Sequence, residues 1–82
     1  MVMEKIIYIQ LLNEGSVAYR PVPAIQIENN IYKVQGFEIY DSEDEEWEFL
    51  PGTRVFVEEQ IRVGENVLVA IQEQTSFSAG LP

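Results

Sequence analysis

Apolar and polar residues alternate along much of this chain, which is the pattern of a β-strand with one buried face. Between residues 4 and 12, Ile7, Ile9 and Leu11 share one parity. The β-branched and aromatic content of this run favours a strand over a helix of the same length. No segment carries an apolar stripe of helical period and useful length. The pattern therefore predicts an all-β protein whose first strand covers residues 4–12.

Four further strands are predicted between short turn signals. They cover residues 17–27, 31–35, 53–63 and 67–74. Turns rich in Asn, Gly or Pro separate the strands, at 13–16, 28–30, 51–52 and 64–66. Glu59 interrupts the apolar parity of its strand, which indicates a bulge or a wet position there. Five short strands at this spacing predict a small, partly open barrel.

The second predicted strand contains Pro21 and Pro23. Proline has no N–H to donate to a ladder, so this segment must be an edge, a bulge or a sharp bend. In a small barrel a bend lets one strand serve both sheets, and that is the predicted role. An SH3-like barrel is the best match in size and strand count, and an OB-like barrel is the alternative.

An acidic segment separates the third strand from the fourth. Seven of the 14 acidic residues lie between residues 38 and 48. So many like charges repel one another, which predicts a surface loop with room for one helical turn. Eighty-two residues suffice for one core only. We therefore predict a single barrel domain over residues 1–74, and a flexible tail over 75–82, where periodicity is absent.

The net charge indicates which classes of partner to expect. Five basic residues against 14 acidic ones give a formal charge of -9, which repels nucleic acids and anionic membranes and favours basic partners. Solubility alone is the plainer explanation of this charge. No apolar run has the roughly 18 residues that span a bilayer, and the first residues lack the features of a signal peptide. A cytoplasmic protein is therefore expected, and the absence of cysteine fits a reducing compartment.

Three sequence patterns support a family resemblance. They are Leu11-Leu12-x-Glu14-Gly15-Ser16-x-x-Tyr19-Arg20-Pro21-Val22, Tyr32-x-Val34-x-Gly36 and Trp47-Glu48-Phe49-x-Pro51-Gly52. In order and spacing, from about Ile7 to Ile71, the chain resembles a group of small bacterial proteins of uncharacterised function. That group often has valine where Ala18 stands here. The resemblance implies a bacterial cytoplasmic domain and an SH3-like barrel, and it brings no activity, ligand or catalytic residue.

The residue types that most enzymes use are missing. The chain has no histidine and no cysteine, so Ser16, Ser42 and Thr53 lack an obvious base to activate them. The acidic run 41–46 offers oxygen ligands suited to calcium or magnesium, but it lacks the ligand spacing and central glycine of an EF-hand loop. We therefore expect no enzymatic activity, no cofactor and no metal site.

The candidates for binding are Arg20 and a set of aromatic residues, Tyr8, Tyr19, Tyr32, Tyr40 and Trp47. Arg20 would form a structural ion pair with Glu14, Glu48 or Glu58, or else recognise a carboxylate or phosphate on a partner. Tyr19 and Trp47 flank the bend and the acidic loop, where they could form a groove for an extended peptide. The alternative is that Trp47 plugs one open end of the barrel.

These candidates predict a non-catalytic protein- or peptide-binding module. Its partner would be a protein with a basic segment, held by cation–π contacts and steered by charge. The predicted partner-binding residues are Tyr19, Arg20, Glu45, Glu46, Trp47 and Glu48. Two alternatives stay open: an acidic inhibitor or antidote that masks a basic site on another protein, and a structural homo-oligomer joined through an exposed strand edge.

Overall fold

Six β-strands and no helix make up the described part of the chain. The structure is a computed structural model that describes residues 4–13, 15–62 and 64–74. The strands are β1 (Glu4–Leu12), β2 (Tyr19–Glu28), β3 (Ile31–Val34), β4 (Glu46–Trp47), β5 (Arg54–Arg62) and β6 (Glu65–Glu73). The predicted all-β class is confirmed. All five predicted strands are present, each with bounds within two residues of those expected from the sequence.

Five of the strands form a closed ring of hydrogen-bonded neighbours. The order is β2–β3–β5–β6–β1, and β1 pairs with β2 to complete the ring. Every neighbouring pair is antiparallel except β1 with β6, which run parallel over two residue pairs, Ile7 with Leu68 and Tyr8 with Val69. The ring is therefore closed by only a short run of strand pairing between β1 and β6. The small five-stranded, partly open barrel expected from the sequence is therefore confirmed.

Strand β2 accommodates its prolines by serving two neighbours. Pro21 and Pro23 lie opposite Tyr8 and Ile6 of β1. The later half of β2 pairs with β3, with a shift in register between Gln26 and Glu28. Strand β2 thus pairs with both β1 and β3, as the prolines in its sequence predicted.

The core lies inside the ring and draws on every strand. Fully buried side chains include Ile7 from β1, Val22 from β2, Val34 from β3 and Val55 from β5, and Ala70 of β6 is 4% exposed. They all belong to one cluster, which also holds the single tryptophan, from β4. No charged side chain is buried among the described residues. Apolar burial is therefore what holds the ring together.

A tight turn at Gly52 fixes the start of β5. Gly52 has a φ of 94°, a conformation that glycine adopts without the cost that a side chain would add. Its N–H donates to the Val34 carbonyl at 2.7 Å, and the Val34 N–H donates to the Thr53 carbonyl at 2.8 Å. The turn predicted at residues 51–52 thus ties the end of β3 to β5.

Parts of the prediction lie outside the described residues. The tail over 75–82 and the proposed ion-pair partner Glu14 are among them, so the domain bounds stay a prediction. Within residues 4–13, 15–62 and 64–74, the structure contains no helix with the length and apolarity needed to cross a membrane.

Candidate functional site

Arg20, Glu45 and Trp47 form one cluster at an end of the barrel. Nε1 of Trp47 donates a hydrogen bond to Oε1 of Glu45 at 3.1 Å, and Nε of Arg20 lies 3.2 Å from the same oxygen. Among the described residues, the acid that pairs with Arg20 is therefore Glu45, not Glu48 or Glu58 as the sequence suggested. The reason is geometric, because Glu45 lies two residues before the tryptophan, where the acidic loop passes the start of β2.

Trp47 is buried, with 2% of its surface exposed. Strand β4 pairs with Leu11 and Leu12 at the end of β1, which carries the indole over the end of the barrel. The Tyr40 ring packs edge-on against the indole, with centroids 4.8 Å apart. Trp47 thus takes the position of a plug in the core, which was the alternative to a ring on a binding groove.

The acidic loop is folded back on Asp41. The Asp44 and Glu45 amides each donate to the Asp41 carbonyl at 3.0 Å, and the Glu43 amide donates to Oδ1 of Asp41 at 2.9 Å. The loop thus contains one helix-like turn. Most of its carboxylates are exposed to solvent, and across the described residues no three acidic side chains meet in a group that could hold a metal ion.

Glu46 and Glu48, the other predicted acids, face solvent beside this cluster. The side-chain amide of Asn13 donates to the carboxylate of Glu46, and the Glu48 amide donates to the carbonyl of Gln10 at 2.9 Å. Asn13 and residues 42–46 of the loop line a shallow cleft of about 190 Å³. Both residues therefore lie on the exposed surface, and Glu46 is tied to Asn13.

Tyr19 lies apart from these residues, on the outer face of the barrel. It is opposite Gln10 of β1 and borders an open depression of about 410 Å³. A second depression, of about 580 Å³, adjoins the first and shares Tyr8 and Val67 with it. We call the two together the Tyr8 groove, and its lining is Lys5, Ile6, Tyr8, Tyr19, Pro21, Arg62, Glu65, Asn66, Val67 and Leu68.

The Tyr8 groove exists because β1 and β6 separate on either side of their short seam. Ile7 and Tyr8 pair with β6, whereas Lys5 and Ile6 have no partner there. Ile6 is 52% exposed, and Tyr8 and Val67 are partly exposed. An apolar surface thus remains open on the outer face of β1, where simple alternation would place polar residues.

Tyr19 forms a cation–π contact within the chain, with Arg62. The guanidinium carbon of Arg62 lies 4.2 Å from the centroid of the Tyr19 ring. Nη2 of Arg62 also donates to Oε1 of Gln60 at 2.9 Å, and Nε2 of Gln60 donates to Oε2 of Glu58 at 3.1 Å. One face of the tyrosine is therefore already occupied, which leaves Tyr8 as the aromatic ring at the centre of the groove.

The sequence suggested only part of this arrangement. It identified Tyr8 and Tyr19 among the aromatic candidates but not the contribution of Ile6 and Val67, since these meet Tyr8 only through the parallel pairing of β1 with β6. One signal was present: Ile6 and Tyr8 are large and apolar or aromatic on the face of β1 that is opposite to the core parity. Such a face points to a surface that is covered by a partner or by another strand.

A comparison of the chain with models of protein families finds no match. The search of curated proteins and the search of solved structures find none either. The bacterial family resemblance drawn from the sequence patterns therefore stays a prediction.

Proposed function

We propose that this protein is a non-catalytic binding module whose Tyr8 groove receives an extended segment of a partner protein. The segment would present apolar side chains to the groove and carry basic residues beside them. One observation supports this most strongly: the groove is an open apolar surface on a chain with a formal net charge of -9. Exposed apolar surface framed by charge is typical of interaction sites.

The shape of the groove favours an extended chain. Its two depressions lie on either side of Tyr8 and share Val67 as a common wall. Side chains of an extended peptide alternate in direction, so residues two apart point the same way. Two such side chains would fill the two depressions and straddle the tyrosine ring. Recognition of this kind takes its specificity from pockets for alternate side chains.

The charge of the protein favours basic residues beside the apolar ones. The groove lining itself carries two cations, Lys5 and Arg62, and one anion, Glu65, and the Arg62 guanidinium packs on Tyr19 and donates to Gln60. The excess of negative charge lies elsewhere, most of all in the loop at residues 41–48. That field raises the rate of encounter with basic segments and lowers it for acidic ones.

The predicted site residues divide into two roles in this proposal. Tyr19 borders the groove, and Glu46 and Glu48 contribute to the attracting field. Arg20, Glu45 and Trp47 close the barrel end and hold the acidic loop in place. A bacterial cytoplasmic setting, as the family resemblance implies, is part of the same proposal.

The test is a selection of random peptides displayed on phage against the wild-type protein. Selected sequences should combine alternating apolar residues with Lys or Arg. Ile6→Lys places a cation in the groove and should weaken binding of a selected peptide by about tenfold or more, since a buried apolar contact is replaced by an unpaired charge. Added salt should also weaken binding, because screening reduces the steering field.

A matched control is Ile71→Lys. Ile71 is 47% exposed and lies outside the groove lining, so the substitution and the change in net charge are the same as for Ile6→Lys. Affinity should change by less than about twofold, apart from the small effect of net charge. Equal losses in the two variants, or selection of acidic peptides, would contradict the proposed function.

A further inference from the structure

Strand β5 is longer than β3, which is one of its two neighbours in the ring. Strand β3 pairs only with residues 54–56 of β5, and the turn after β2 reaches Val57, whose N–H donates to the Asn30 carbonyl at 2.9 Å. Residues 58–62 continue beyond this point and pair with β6 on one side only. Within the described ranges, the other side of this segment has no neighbouring strand. We call residues 58–62 the free edge.

The direction of the backbone groups on the free edge follows from that last hydrogen bond. The Val57 N–H points away from β6, toward β3. Backbone groups alternate in direction along a strand, so the N–H and C=O of Glu59 and Ile61 also point away from β6. Ile61 is 76% exposed, the largest exposed fraction among the large hydrophobic residues of the described chain. The edge is thus a template for one more strand.

The sequence of the free edge is complementary to itself. We propose that it pairs with the free edge of a second copy of this chain, antiparallel and about a two-fold axis at Gln60. This register sets Glu59 opposite Ile61 twice, so their outward backbone groups exchange hydrogen bonds. It also sets Glu58 of each copy opposite Arg62 of the other. These are non-hydrogen-bonded positions, where facing side chains lie closest.

Existing contacts prepare the side chains for this pairing. Glu58, Gln60 and Arg62 lie on one face of β5 and are already joined by two hydrogen bonds through the Gln60 amide. Each Arg62 has donors beyond the one that Gln60 uses, so it can add a carboxylate of the second copy. In the dimer the Glu58–Gln60–Arg62 hydrogen-bond rows of the two copies would lie side by side and run in opposite directions.

Neighbouring registers are less favourable. The two-fold axis is normal to the sheet, so each face of β5 continues as the same face in the second copy. The register can therefore change only if the axis moves to another residue. An axis at Glu59 would set that carboxylate against its own copy, and like charges directly opposite are unfavourable. An axis at Ile61 would set Glu58 opposite Gly64, which removes both ion pairs. The charged pairs therefore favour the register with the axis at Gln60.

The dimer should be weak and dependent on concentration. A five-residue strand pair is smaller than a standard interface, and two chains with a charge of -9 repel each other. At about 0.15 M salt the Debye length is roughly 8 Å, which screens the overall repulsion more than contacts at ion-pair distance. The Tyr8 groove shares Arg62 with the free edge, so peptide binding is tested by Ile6→Lys and dimer formation by Ile61→Pro, neither of which alters that residue.

The experiment is sedimentation equilibrium of the full chain from about 10 μM to about 1 mM at this ionic strength. The mass should rise with concentration from 9.4 kDa toward twice that value. Ile61→Pro removes an outward N–H that has no acceptor within residues 4–13, 15–62 and 64–74, and it should keep the mass at that of one chain. Circular dichroism checks that the variant remains folded.

Charge exchange identifies the register independently of proline. Glu58→Arg should weaken dimerisation by about tenfold or more, because each Arg62 then faces a like charge. The double variant E58R/R62E should restore it. Glu38→Arg, with the same change in net charge on the remote loop, should not weaken it. A single-chain mass throughout, unaltered dimerisation in Ile61→Pro, or no restoration in the double variant would overturn the proposal.

Discussion

Arg20 and Trp47 both meet Oε1 of Glu45, which lies 3.2 Å from Nε of the arginine as an ion pair and accepts a hydrogen bond from Nε1 of the indole at 3.1 Å. The contact joins β2 to the acidic loop and β4 across one end of the barrel. Arg20 Nε has no aligned hydrogen-bond acceptor among the described residues, so its attraction to Glu45 is mainly that of opposite charges. The indole hydrogen bond sets the orientation of the ring.

Replacing Trp47 should cost stability. Trp47→Ala removes a side chain that is 98% buried in the core cluster and leaves a cavity, so we expect a loss of about 3–5 kcal/mol in the free energy of unfolding. Trp47→Phe fills part of the space and should cost less. Urea unfolding followed by far-ultraviolet circular dichroism measures both. A loss below about 1 kcal/mol for Trp47→Ala would show that the indole is not part of the core.

Two variants of Glu45 separate charge from hydrogen bonding. Glu45→Gln keeps an oxygen for the indole N–H and removes only the ion pair with Arg20, whose side chain is 39% exposed, so it should cost at most about 1 kcal/mol. Glu45→Ala also leaves the indole N–H without an acceptor, at about 1–3 kcal/mol. Urea unfolding at low and high salt should give this order. Equal costs would mean that the indole hydrogen bond contributes nothing.

Gly36 and Gly64 form a matched pair that tests the packing around Trp47. Both have a positive φ, of 90° and 80°. A Cβ at Gly36 would lie 3.2 Å from the Trp47 ring and 3.2 Å from Val22, whereas nothing lies within 4 Å at Gly64. Gly64→Ala should therefore cost only the backbone term of about 1–2 kcal/mol. Gly36→Ala should cost about 1–3 kcal/mol more, from crowding in the core.

Thermal unfolding of both glycine variants measures that difference. Near-ultraviolet circular dichroism adds a local readout, because Gly36→Ala should alter the tryptophan signal and Gly64→Ala should not. Equal destabilisation by the two substitutions would show that the Gly36 backbone does not pack closely on Trp47.

The contact between Arg62 and Tyr19 should be measurable as a coupling energy. A double-mutant cycle of Arg62→Met and Tyr19→Leu keeps an apolar side chain at each position while removing the charge and the ring. At a partly exposed site the interaction should amount to about 0.5–1 kcal/mol in the free energy of unfolding. A coupling within error of zero would indicate that the guanidinium does not stay over the ring in solution.

Much of the fold was predictable because local patterns determine it. Alternation identified the five ring strands, and Pro21 and Pro23 identified the bent one. Strand β4 was missed, since two residues carry no periodicity and owe their pairing to Leu11 and Leu12 at the end of β1. The parallel seam of β1 with β6 could not be predicted either, because pairing direction depends on how the whole ring closes.

The candidate site was predictable only in part, for the same reason. An ion pair for Arg20 follows from its acidic surroundings, but the choice of Glu45 depends on the path of a loop that is set by Trp47. Tyr19 was expected beside the tryptophan, and the strand register instead turns it to the outer face beside Tyr8. Long-range contacts decide which residues meet, and these are not visible in local sequence.

Nuclear magnetic resonance mapping of a selected basic peptide on the wild-type protein tests the proposed function most directly. The account predicts that the largest amide shift changes fall on the residues lining the Tyr8 groove, above all Tyr8, Tyr19 and Val67. Only minor changes should appear near the buried Trp47. The largest changes in residues 41–48, with none around Tyr8, would contradict it.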